Sequence, residues 1–392
     1  MFDYKKEGNT LTVLLNGKID SSNAAECEKE IFGKISDFNG ELVLDAEKLE
    51  YISSAGLRVV LRLKKGNPTT KIINCSSEVY EIFDMTGFVE MMDISKAYRK
   101  ISIEGCEVIG EGANGIVYRT DPDTIVKVYK NHDALAEIHN ERELARKAFV
   151  MGIPTAIPYD VVQVGEYYGS VFELLNATSF AKLIINGEDT IDNLAKQSVE
   201  ILKTIHATQL KPGELPSKKE EALIWVEFCR DYLPEDLGEK LVKLVDDIPE
   251  TLNMLHADYH IKNIMRQNGE NLLIDMDTLS LGHPIFEFAA MYAAYIGFSC
   301  VDKNNVYDFL GITYEQSSEL WKATLKYYFE GKDSAYLEDL EKKAALLCYT
   351  RLVRRTIRRN NGSEYEKNLL EYCKNYLLEN IPKTDSLSFS LN

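Results

Sequence analysis

The sequence predicts two domains, a small α/β domain over residues 1–100 and a larger α+β domain over residues 104–382. Three observations support this prediction. The chain of 392 residues is longer than one ordinary hydrophobic core supports. Short apolar runs alternate with helical periodicity up to about residue 100, and a glycine-rich pattern begins soon afterwards. No proline- or glycine-rich linker separates the two patterns, so we expect a short connection.

Composition narrows the range of functions. Hydrophobic residues make up 45% of the chain, and the formal net charge is -17. This charge repels a phosphate backbone, which argues against nucleic acid as a partner. The seven cysteines are scattered without a CxxC pair. The sequence shows neither a secretory signal nor an apolar run of membrane-spanning length, so we expect a cytoplasmic protein with no membrane partner.

The first hundred residues carry strand and helix patterns in alternation. The strand-like runs are LTVLLNG, ELVLDA and TKIINCS, and the helical runs are NAAECEKEIFGKI, SAGLRVVLRLKK and EVYEIFDMTG. Gly87 is placed to end the last of these helices. YISSAGLRVVL and EVYEIFDMTGFVEMMDI, together with GKID at 17–20, resemble a STAS domain, the fold of bacterial anti-sigma-factor antagonists.

This resemblance implies a protein partner of the anti-sigma-factor type and a candidate phosphorylation site at Ser54. In phosphorylatable members the modified serine opens a helix in a D-S-[ST]-G-L pattern, and this chain reads SSAGL. A phosphate at a helix N-terminus meets free backbone amides and the positive end of the helix dipole. Ser53 replaces the aspartate of the pattern, and Ser54 could instead be a simple helix N-cap.

Residues 110–130 contain a glycine-rich loop between two strand patterns. Gly110, Gly112 and Gly115 form G-x-G-x-x-G, followed by IVYRT, a DPD turn and TIVKVY. A dinucleotide-binding fold would place a helix after these glycines, so the pattern favours the hairpin that covers ATP phosphates in protein kinases. The predicted nucleotide-binding residues of this loop are Gly110, Gly112, Ala113, Asn114, Gly115 and Val117.

The next strand and helix offer a lysine and its acidic partner. Lys127 lies among apolar residues in IVKVY, much like the phosphate-binding lysine of protein kinases. In the helix that contains NERELARKAFVMG, either Glu143 or Glu141 could face the sheet. We choose Glu143 as the partner of Lys127 and keep Glu141 as the alternative.

The segment HADYHIKN at 256–263 admits two interpretations. His256 and His260 are four residues apart, the spacing of two zinc ligands on one face of a helix. Asp258 and Asn263 are five apart, the spacing of a catalytic base and a magnesium ligand in a kinase loop. The strand-like run LLIDMD then reaches Asp275, where kinases carry their second metal ligand. Position 257 is alanine rather than the glutamate that a zinc helix requires, which favours the kinase interpretation.

HADYHIKN, IDMD and GHPIFEFA together resemble the aminoglycoside phosphotransferase and choline kinase-like family. Its members read H-G-D-x-H-x-x-N, then I-D, then G-D-P-x-x-D-L-A. The resemblance covers about residues 105–380 and implies a two-lobed protein-kinase-like fold, with a small lobe at 104–175 and a large lobe at 176–382. Ala257, His283 and Glu287 depart from the family pattern, none of them at an expected metal ligand.

The roles of the candidate residues follow from the chemistry of phosphoryl transfer, with ATP and Mg²⁺ as cofactors. Lys127 would bind the α- and β-phosphates, while Asn263 and Asp275 would hold Mg²⁺, which prefers oxygen ligands. Asp258 would accept the hydroxyl proton or orient the attacking oxygen. The expected acceptor is a hydroxyl group on an aminoglycoside-like, choline-like or sugar-like small molecule.

Other residues are predicted to support the site or the core. His256 would buttress the loop and His260 would approach the γ-phosphate, although each could also be a packed imidazole. The linker between the lobes should lie at VFELLNA, where the backbone near Glu173 and Leu175 could pair with adenine. His206 is expected in the core. The basic run RLVRRTIRRNN at 351–361 has helical spacing and is expected to form a solvated or salt-bridged face.

Two further functions stay open at this stage. The kinase half could phosphorylate a serine of a STAS domain, Ser54 or its counterpart in another chain. Alternatively, the chain could bind nucleotide without turnover and act through the N-terminal domain alone. Retention of Lys127, Asp258, Asn263 and Asp275 argues against this last function.

Overall fold

The computed structural model describes residues 2–35, 38–112 and 114–391. The chain divides into two compact units. The first comprises Met1–Glu104 and Val161–Gly169, and the second comprises Gly105–Asp160 and Ser170–Asn392. In the described part of the chain, no helix is both long and apolar enough to cross a membrane.

The first unit alternates short strands and helices. In chain order they are β1 (Asp3–Glu7), β2 (Thr10–Ile19), α1 (Ala24–Ile35), β3 (Glu41–Ile52), α2 (Ser54–Gly66), β4 (Lys71–Cys75), α3 (Ser77–Met85), α4 (Phe88–Met91), β5 (Ile94–Lys96) and β6 (Arg99–Lys100). Strands β1 to β5 form one sheet in sequential order. The pair β1 and β2 is antiparallel, and the other neighbours are parallel. This arrangement confirms the predicted α/β class.

The burial pattern explains why this sheet and its helices form. On β2, Val13 and Leu15 are buried while Leu14 between them is partly exposed, which is the two-residue period of a strand. Gly56 lies where α2 approaches the sheet, and a Cβ atom there would be 2.8 Å from the carbonyl oxygen of Ile19. Only glycine allows this approach without a shift of the backbone.

The second unit begins with a mainly β region. Its first elements are β7 (Glu107–Glu111), β8 (Gly115–Asp121), β9 (Thr124–Tyr129) and α5 (Leu135–Val150). The next strands are β10 (Asp160–Val164), most of which belongs to the first unit, and β11 (Tyr167–Glu173), which ends in the second unit. Strands β7, β8 and β9 are antiparallel neighbours, and β11 lies on the other side of β9. Strand β10 pairs in parallel with β6 through residues that belong to the first unit.

The rest of the second unit is mainly helical. Its elements are β12 (Thr178–Ser179), α6 (Phe180–Ile185), α7 (Ile191–Ala207), α8 (Lys218–Arg230), α9 (Glu235–Asp246), β13 (Met254–Leu255), β14 (Ile264–Gln267), β15 (Glu270–Leu273), β16 (Ser280–Leu281), α10 (Ile285–Tyr295), α11 (Asn304–Leu310), α12 (Tyr314–Tyr328), α13 (Ser334–Arg359) and α14 (Glu364–Asn380). Short 3₁₀ helices occur at Gly297–Ser299 and Ile381–Lys383. A β region followed by a larger helical region agrees with the predicted α+β class.

Helix α10 lies in the middle of the helical core. Phe288, Met291 and Tyr295 are buried, and α12 and α13 pack against the helix. Its sequence is apolar on nearly every side, as expected for a helix that is enclosed by others. The exception is Glu287, a fully buried carboxylate, and its position directs attention to the segment that contains HADYHIKN.

Candidate active site

The glycine-rich segment forms the predicted hairpin. Strands β7 and β8 pair antiparallel, and the amide of Gly112 donates a hydrogen bond to the carbonyl of Gly115 at 2.9 Å. A Cβ atom on Gly115 would be 2.6 Å from the carbonyl oxygen of Val128, so this position requires glycine. Val117 lies opposite Lys127 on the neighbouring strand. Ala113 lies outside the described residues, and the binding of phosphate by the loop stays a prediction.

Lys127 is held by a glutamate of helix α5. Its Nζ atom is 3.0 Å and 3.1 Å from the two carboxylate oxygens of Glu141 and 3.8 Å from Oδ1 of Asp275. Burial alone would lower the pKa of the Lys127 ammonium, but the charges of Glu141 and Asp275 outweigh it and raise that pKa. Tyr129 also donates its hydroxyl to Glu141. The lysine therefore stays charged and is fixed in position.

The choice of Glu143 as the partner of Lys127 was wrong. Glu143 is exposed, whereas Glu141 is buried along the face of α5 that packs into the protein. A shift of two residues rotates a side chain by about 200° around a helix, so only one of the two glutamates can face the sheet. The alternative, Glu141, is therefore the partner.

The segment HADYHIKN is a loop, so His256 and His260 do not share the helical face on which the zinc interpretation depends. Ala257 has a positive φ of 63°. No group of three or more His, Cys, Asp or Glu side chains arranged for a metal ion occurs among the residues that the structure describes.

The buried carboxylate of Glu287 holds the start of this loop through hydrogen bonds to its main chain. Its carboxylate accepts hydrogen bonds from the amide of His256 at 2.6 Å and the amide of Ala257 at 2.9 Å. Burial opposes ionisation of Glu287, but nearby His206, with Nε2 at 3.7 Å, the charge of His256 and the Ala257 amide together lower its pKa. The sequence marked Glu287 only as a departure from the family pattern. Its role as an anchor of the loop depends on a contact across about thirty residues.

The two histidines of the loop are packed side chains. Nδ1 of His256 accepts a hydrogen bond from the amide of Asp258 at 3.4 Å, and its carbonyl accepts one from Thr278 at 2.7 Å. Burial lowers the pKa of the His256 imidazole, against the attraction of Glu287. The His260 ring lies edge-on to the Phe309 ring, and its Nε2 is 3.6 Å from Oδ2 of Asp258. His206 is buried, as expected.

Asp258 and Asn263 lie together on the loop. The Asn263 amide donates to the main-chain oxygen of Asp258 at 3.0 Å and lies 3.5 Å from its carboxylate. The Asp258 side chain is 47% exposed, so a substrate can reach it. Burial would raise its pKa, but His260 and His256 outweigh that effect and lower it. Asp258 is therefore ionised at neutral pH and able to accept a hydrogen bond from a hydroxyl group.

Two further carboxylates complete the site. Asp275 follows β15 with a positive φ of 65°, and the amide of its neighbour Ile274 donates to the Asn263 carbonyl at 3.0 Å. Burial and the charge of Asp275 raise the pKa of Asp277 to about 7. Sequence reasoning gave Asp277 no role, although the pair of acids in IDMD was a visible signal. Asn263, Asp275 and Asp277 offer the oxygen ligands that Mg²⁺ prefers, with water and phosphate to complete its shell.

The structure also describes the predicted linker and the candidate phosphorylation site. Strand β11 ends at Glu173, and residues 174–177 form no regular structure, so a linker through Leu175 is consistent with the structure. In the first unit, Ser54 is exposed as the first residue of α2. The alternative that Ser54 is a simple N-cap was wrong, because Ser53 takes that position and its hydroxyl accepts hydrogen bonds from the amides of Ala55 and Gly56.

The ion-paired lysine, the glycine hairpin and the loop with Asp258 and Asn263 define a kinase-like phosphotransferase. The model of the phosphotransferase enzyme family matches residues 105–315, and the STAS domain model matches residues 1–101. The chain belongs to the phosphotransferase enzyme family and carries a STAS domain at its N-terminus. Both predicted resemblances are confirmed.

The N-terminal domain also resembles a curated protein. A candidate anti-sigma factor antagonist, BtrV of Bordetella bronchiseptica, is 32% identical over 91 residues, which cover 22% of this chain and 78% of that protein.

The chain is also similar to solved structures of aminoglycoside phosphotransferases. A mutant aminoglycoside 2'-phosphotransferase-IIIa in complex with GDP has a TM-score of 0.51 at 14% identity, covering 78% of this chain and 98% of the other. A ternary complex of streptomycin, ATP and the enzyme APH(2'')-IIa has a TM-score of 0.48 at 17% identity, covering 78% and 99%. The likeness to the first of these supports the kinase-like fold.

Proposed function

We propose that the chain transfers the γ-phosphate of ATP to a hydroxyl group of a small molecule. The observation that carries this proposal is the position of Lys127, which is ion-paired with Glu141 and lies 3.8 Å from Asp275. This contact brings the lysine of the β region next to the aspartate that follows the catalytic loop. Phosphoryl transfer depends on alignment and neutralisation of charge, and these residues supply both.

The nucleotide would bind between the glycine hairpin and Lys127. Amides of the hairpin, including those of Asn114 and Gly115, would face the phosphates, and the ammonium of Lys127 would pair with the α- and β-phosphates. Glu141 keeps the lysine charged and oriented before ATP arrives. The main chain near Glu173 and Leu175 would pair with adenine.

Asn263 and Asp275 would hold Mg²⁺, and Asp277, whose pKa responds to the charge of Asp275, would be a further carboxylate ligand. The fit rests on the donors themselves, an amide oxygen and carboxylates, which are the ligands that this cation prefers. When bound, the cation neutralises charge on the phosphates. Asp277, whose pKa is raised to about 7 by burial and by Asp275, would ionise more readily beside a cation.

Asp258 would act on the acceptor. Its ionised, partly exposed carboxylate can accept the hydrogen bond of a hydroxyl group and take its proton as the new bond to the γ-phosphorus forms and the bond from that phosphorus to ADP breaks. The Glu287 carboxylate fixes the two residues that precede Asp258, His256 and Ala257, through their amides. The His256 ring in turn accepts a hydrogen bond from the amide of Asp258 itself. His260 would keep the carboxylate charged and turned towards the acceptor.

The N-terminal domain would serve as the site of a protein partner. Its likeness to BtrV favours a partner of the anti-sigma-factor type. Ser54 is exposed at the start of a helix of 13 residues, where a phosphate group would meet free amides. Phosphorylation at Ser54 would thus change the surface offered to such a partner.

The test is transfer of label from [γ-³²P]ATP with Mg²⁺ to a panel of aminoglycosides, choline-like amines and sugars. We expect label in at least one small acceptor, lost in the variant Asp258→Asn and kept in the control Asp236→Asn, since Asp236 is exposed on α9. Label on Ser54 without any labelled small molecule would instead favour a serine kinase. ATP bound without turnover would favour a regulator that only binds nucleotide.

A further inference from the structure

Tyr129 lies on the same strand as Lys127, near the middle of the β region. Strand β9 has β8 on one side and β11 on the other. Side chains two residues apart lie on the same face of a strand, and Lys127 and Tyr129 both contact Glu141 of helix α5 from this face. Tyr129 is only 1% exposed. Sequence reasoning assigned no role to it, because an aromatic residue in an apolar strand is typical of any core.

Tyr129 contacts both members of the ion pair between Lys127 and Glu141. Its hydroxyl donates a hydrogen bond to Oε2 of Glu141, the oxygen that lies 3.1 Å from Nζ of Lys127. The same Nζ atom lies 5.0 Å from the centre of the Tyr129 ring, within the range of a cation–π interaction. The hydroxyl thus holds the carboxylate while the ring lies beside the ammonium. A phenylalanine would keep the second contact and lose the first.

Ser170 extends these contacts to strand β11. Its buried hydroxyl oxygen lies 3.3 Å from that of Tyr129. Because Tyr129 has a single hydroxyl proton and gives it to Glu141, Ser170 is the donor in this second bond. Burial and the charge of Glu141 raise the pKa of Tyr129, so the phenol keeps its proton. Hydrogen bonds that follow one another in this way strengthen each other in a buried environment. Strand β11 ends three residues later at Glu173, where the proposed adenine segment begins.

The main chain of Tyr129 meets the glycine hairpin. Its partner on the neighbouring strand β8 is Gly115, the last glycine of the G-x-G-x-x-G pattern. The amide of the next residue, Lys130, donates to the carbonyl of Asn114 at 2.9 Å. Tyr129 is therefore joined to the hairpin through its strand, to the ion pair through its side chain and to β11 through Ser170. These are the segments that the proposed function assigns to ATP.

We propose that Tyr129 is a positioning residue for nucleotide binding, which keeps Lys127 and Glu141 paired before ATP arrives. This inference rests on the proposed phosphotransferase function and adds a residue to its nucleotide site. Protein kinases are controlled in part by whether this lysine and glutamate are paired. Here the strand that carries the lysine also holds the glutamate, so we expect the pair to persist in the nucleotide-free protein.

The first experiment measures nucleotide binding, for which no acceptor is needed. The analogue AMP-PNP is titrated calorimetrically with Mg²⁺ into the full chain and into Tyr129→Phe. We expect the variant to bind about 3- to 10-fold more weakly, the range of one buried hydrogen bond. The control Tyr349→Phe removes an equally buried hydroxyl, which lies 3.5 Å from that of Tyr292, and should leave the affinity unchanged.

The second experiment asks whether Tyr129 acts through Glu141. Tyr129→Phe is combined with Glu141→Gln, and the affinities of the wild type, both single variants and the double variant form a cycle. In the Glu141→Gln background the charge that holds Lys127 is already gone, so we expect Tyr129→Phe to cause no further loss. A tyrosine that only filled the core would cause the same loss in both backgrounds. Ser170→Ala, which removes the donor to Tyr129, should weaken binding by about twofold.

The third experiment tests the position of Lys127 without nucleotide. The full chain is treated with acetic anhydride, and the rate of acetylation at Lys127 is measured by mass spectrometry. We expect Tyr129→Phe to raise this rate about 3- to 10-fold, because a lysine that loses part of its ion pair gives up its proton more readily. Acetylation of Lys342, which is exposed on α13, should proceed at the same rate in both proteins.

The outcomes separate this inference from the proposed function. Equal affinity of the wild type and Tyr129→Phe, or an equal loss in Tyr349→Phe, would overturn the inference and leave the phosphotransferase function intact. The same loss in both backgrounds of the cycle would also overturn it. Failure of the wild type to bind AMP-PNP would count against the phosphotransferase function itself, and the acetylation rate would still decide whether Tyr129 holds Lys127 in place.

Discussion

The two units of this chain bury polar groups very differently. Among the described residues of the first unit, the buried polar side chains are Asn67 and Thr70. The second unit buries the ionisable side chains of Glu141, His206, Lys218, His256, His260, His283, Glu287 and Glu366. Burying such groups lowers stability unless partners are fixed around them. The first unit therefore loses little stability to buried polar groups. The second unit loses more, because it holds ionisable side chains in fixed positions, as an active site requires.

The largest effect on stability is expected at Glu287. Replacing it with alanine leaves the amides of His256 and Ala257 without an acceptor inside the protein. We expect Glu287→Ala to lower the free energy of unfolding of the second domain by about 3–5 kcal/mol, as for a broken buried pair. Urea unfolding measures this loss, with the exposed Glu239→Ala as the control. A loss no larger than that of the control would contradict the role of Glu287 as the anchor of the loop.

The next effect concerns the two glutamates of α5. Glu141→Gln removes the charge that pairs with Lys127, while Glu143→Gln removes the same charge from the exposed face. We expect the first substitution to lower kcat/KM for ATP about 10- to 100-fold, the equivalent of one hydrogen bond to a charged group. The second should change it by less than about twofold. Similar losses in both variants would contradict the conclusion that Glu141, on the buried face of α5, is the partner of Lys127 and that Glu143, on the exposed face, is not.

A pH-dependent effect is expected at Asp277. Its folded pKa of about 7 is above the ordinary value of 3.8, so the folded protein holds this proton more tightly than the unfolded chain. In EDTA, the contribution of Asp277 to stability is favourable below pH 4 and is lost as the pH rises towards 7. Asp277→Asn should therefore gain stability relative to the wild type between pH 5 and pH 8, and Mg²⁺ should reduce this gain. Denaturant unfolding at both pH values checks this, and an equal difference at both would contradict it.

The smallest effect is expected in the first unit, at the start of α2. Ser53→Ala removes the N-cap hydroxyl and should lower the stability of the N-terminal domain by about 1 kcal/mol. Ser54→Ala removes an exposed hydroxyl and should change it by less than about 0.5 kcal/mol. Thermal unfolding distinguishes the two. The reverse order would restore Ser54 as the cap and weaken the case for its modification.

Local patterns in the sequence were sufficient for much of this architecture. The glycine hairpin, Lys127 and the loop with Asp258 and Asn263 are each encoded in a short segment whose residue types are dictated by turn geometry or by charge. The same is true of the strands in the first unit, because their alternation of buried and exposed residues is visible in a few positions. These are the features that the structure reproduces.

Contacts between distant segments were not predictable in the same way. The use of Glu141 depends on the rotation of α5, although Ile138, Leu144 and Ala148 at helical spacing did mark the buried face. The anchoring of the loop by Glu287 depends on how helix α10 packs against the loop. The contact of the Arg351 guanidinium with the Trp225 ring joins residues more than one hundred positions apart. Sequence periodicity predicts which face of a helix is buried. It does not predict which side chain of a distant segment contacts that face.

The central claim is that nucleotide binding and phosphoryl transfer depend on different carboxylates of one site. The most direct measurement is MgATP binding and γ-phosphate turnover for the wild type, Asp258→Asn and Asp275→Asn in the same buffer. We expect Asp258→Asn to bind MgATP within about threefold of the wild type and to lose turnover by about 10²- to 10⁴-fold. Asp275→Asn should lose the Mg²⁺-dependent part of nucleotide binding. Undiminished turnover in Asp258→Asn would contradict the account.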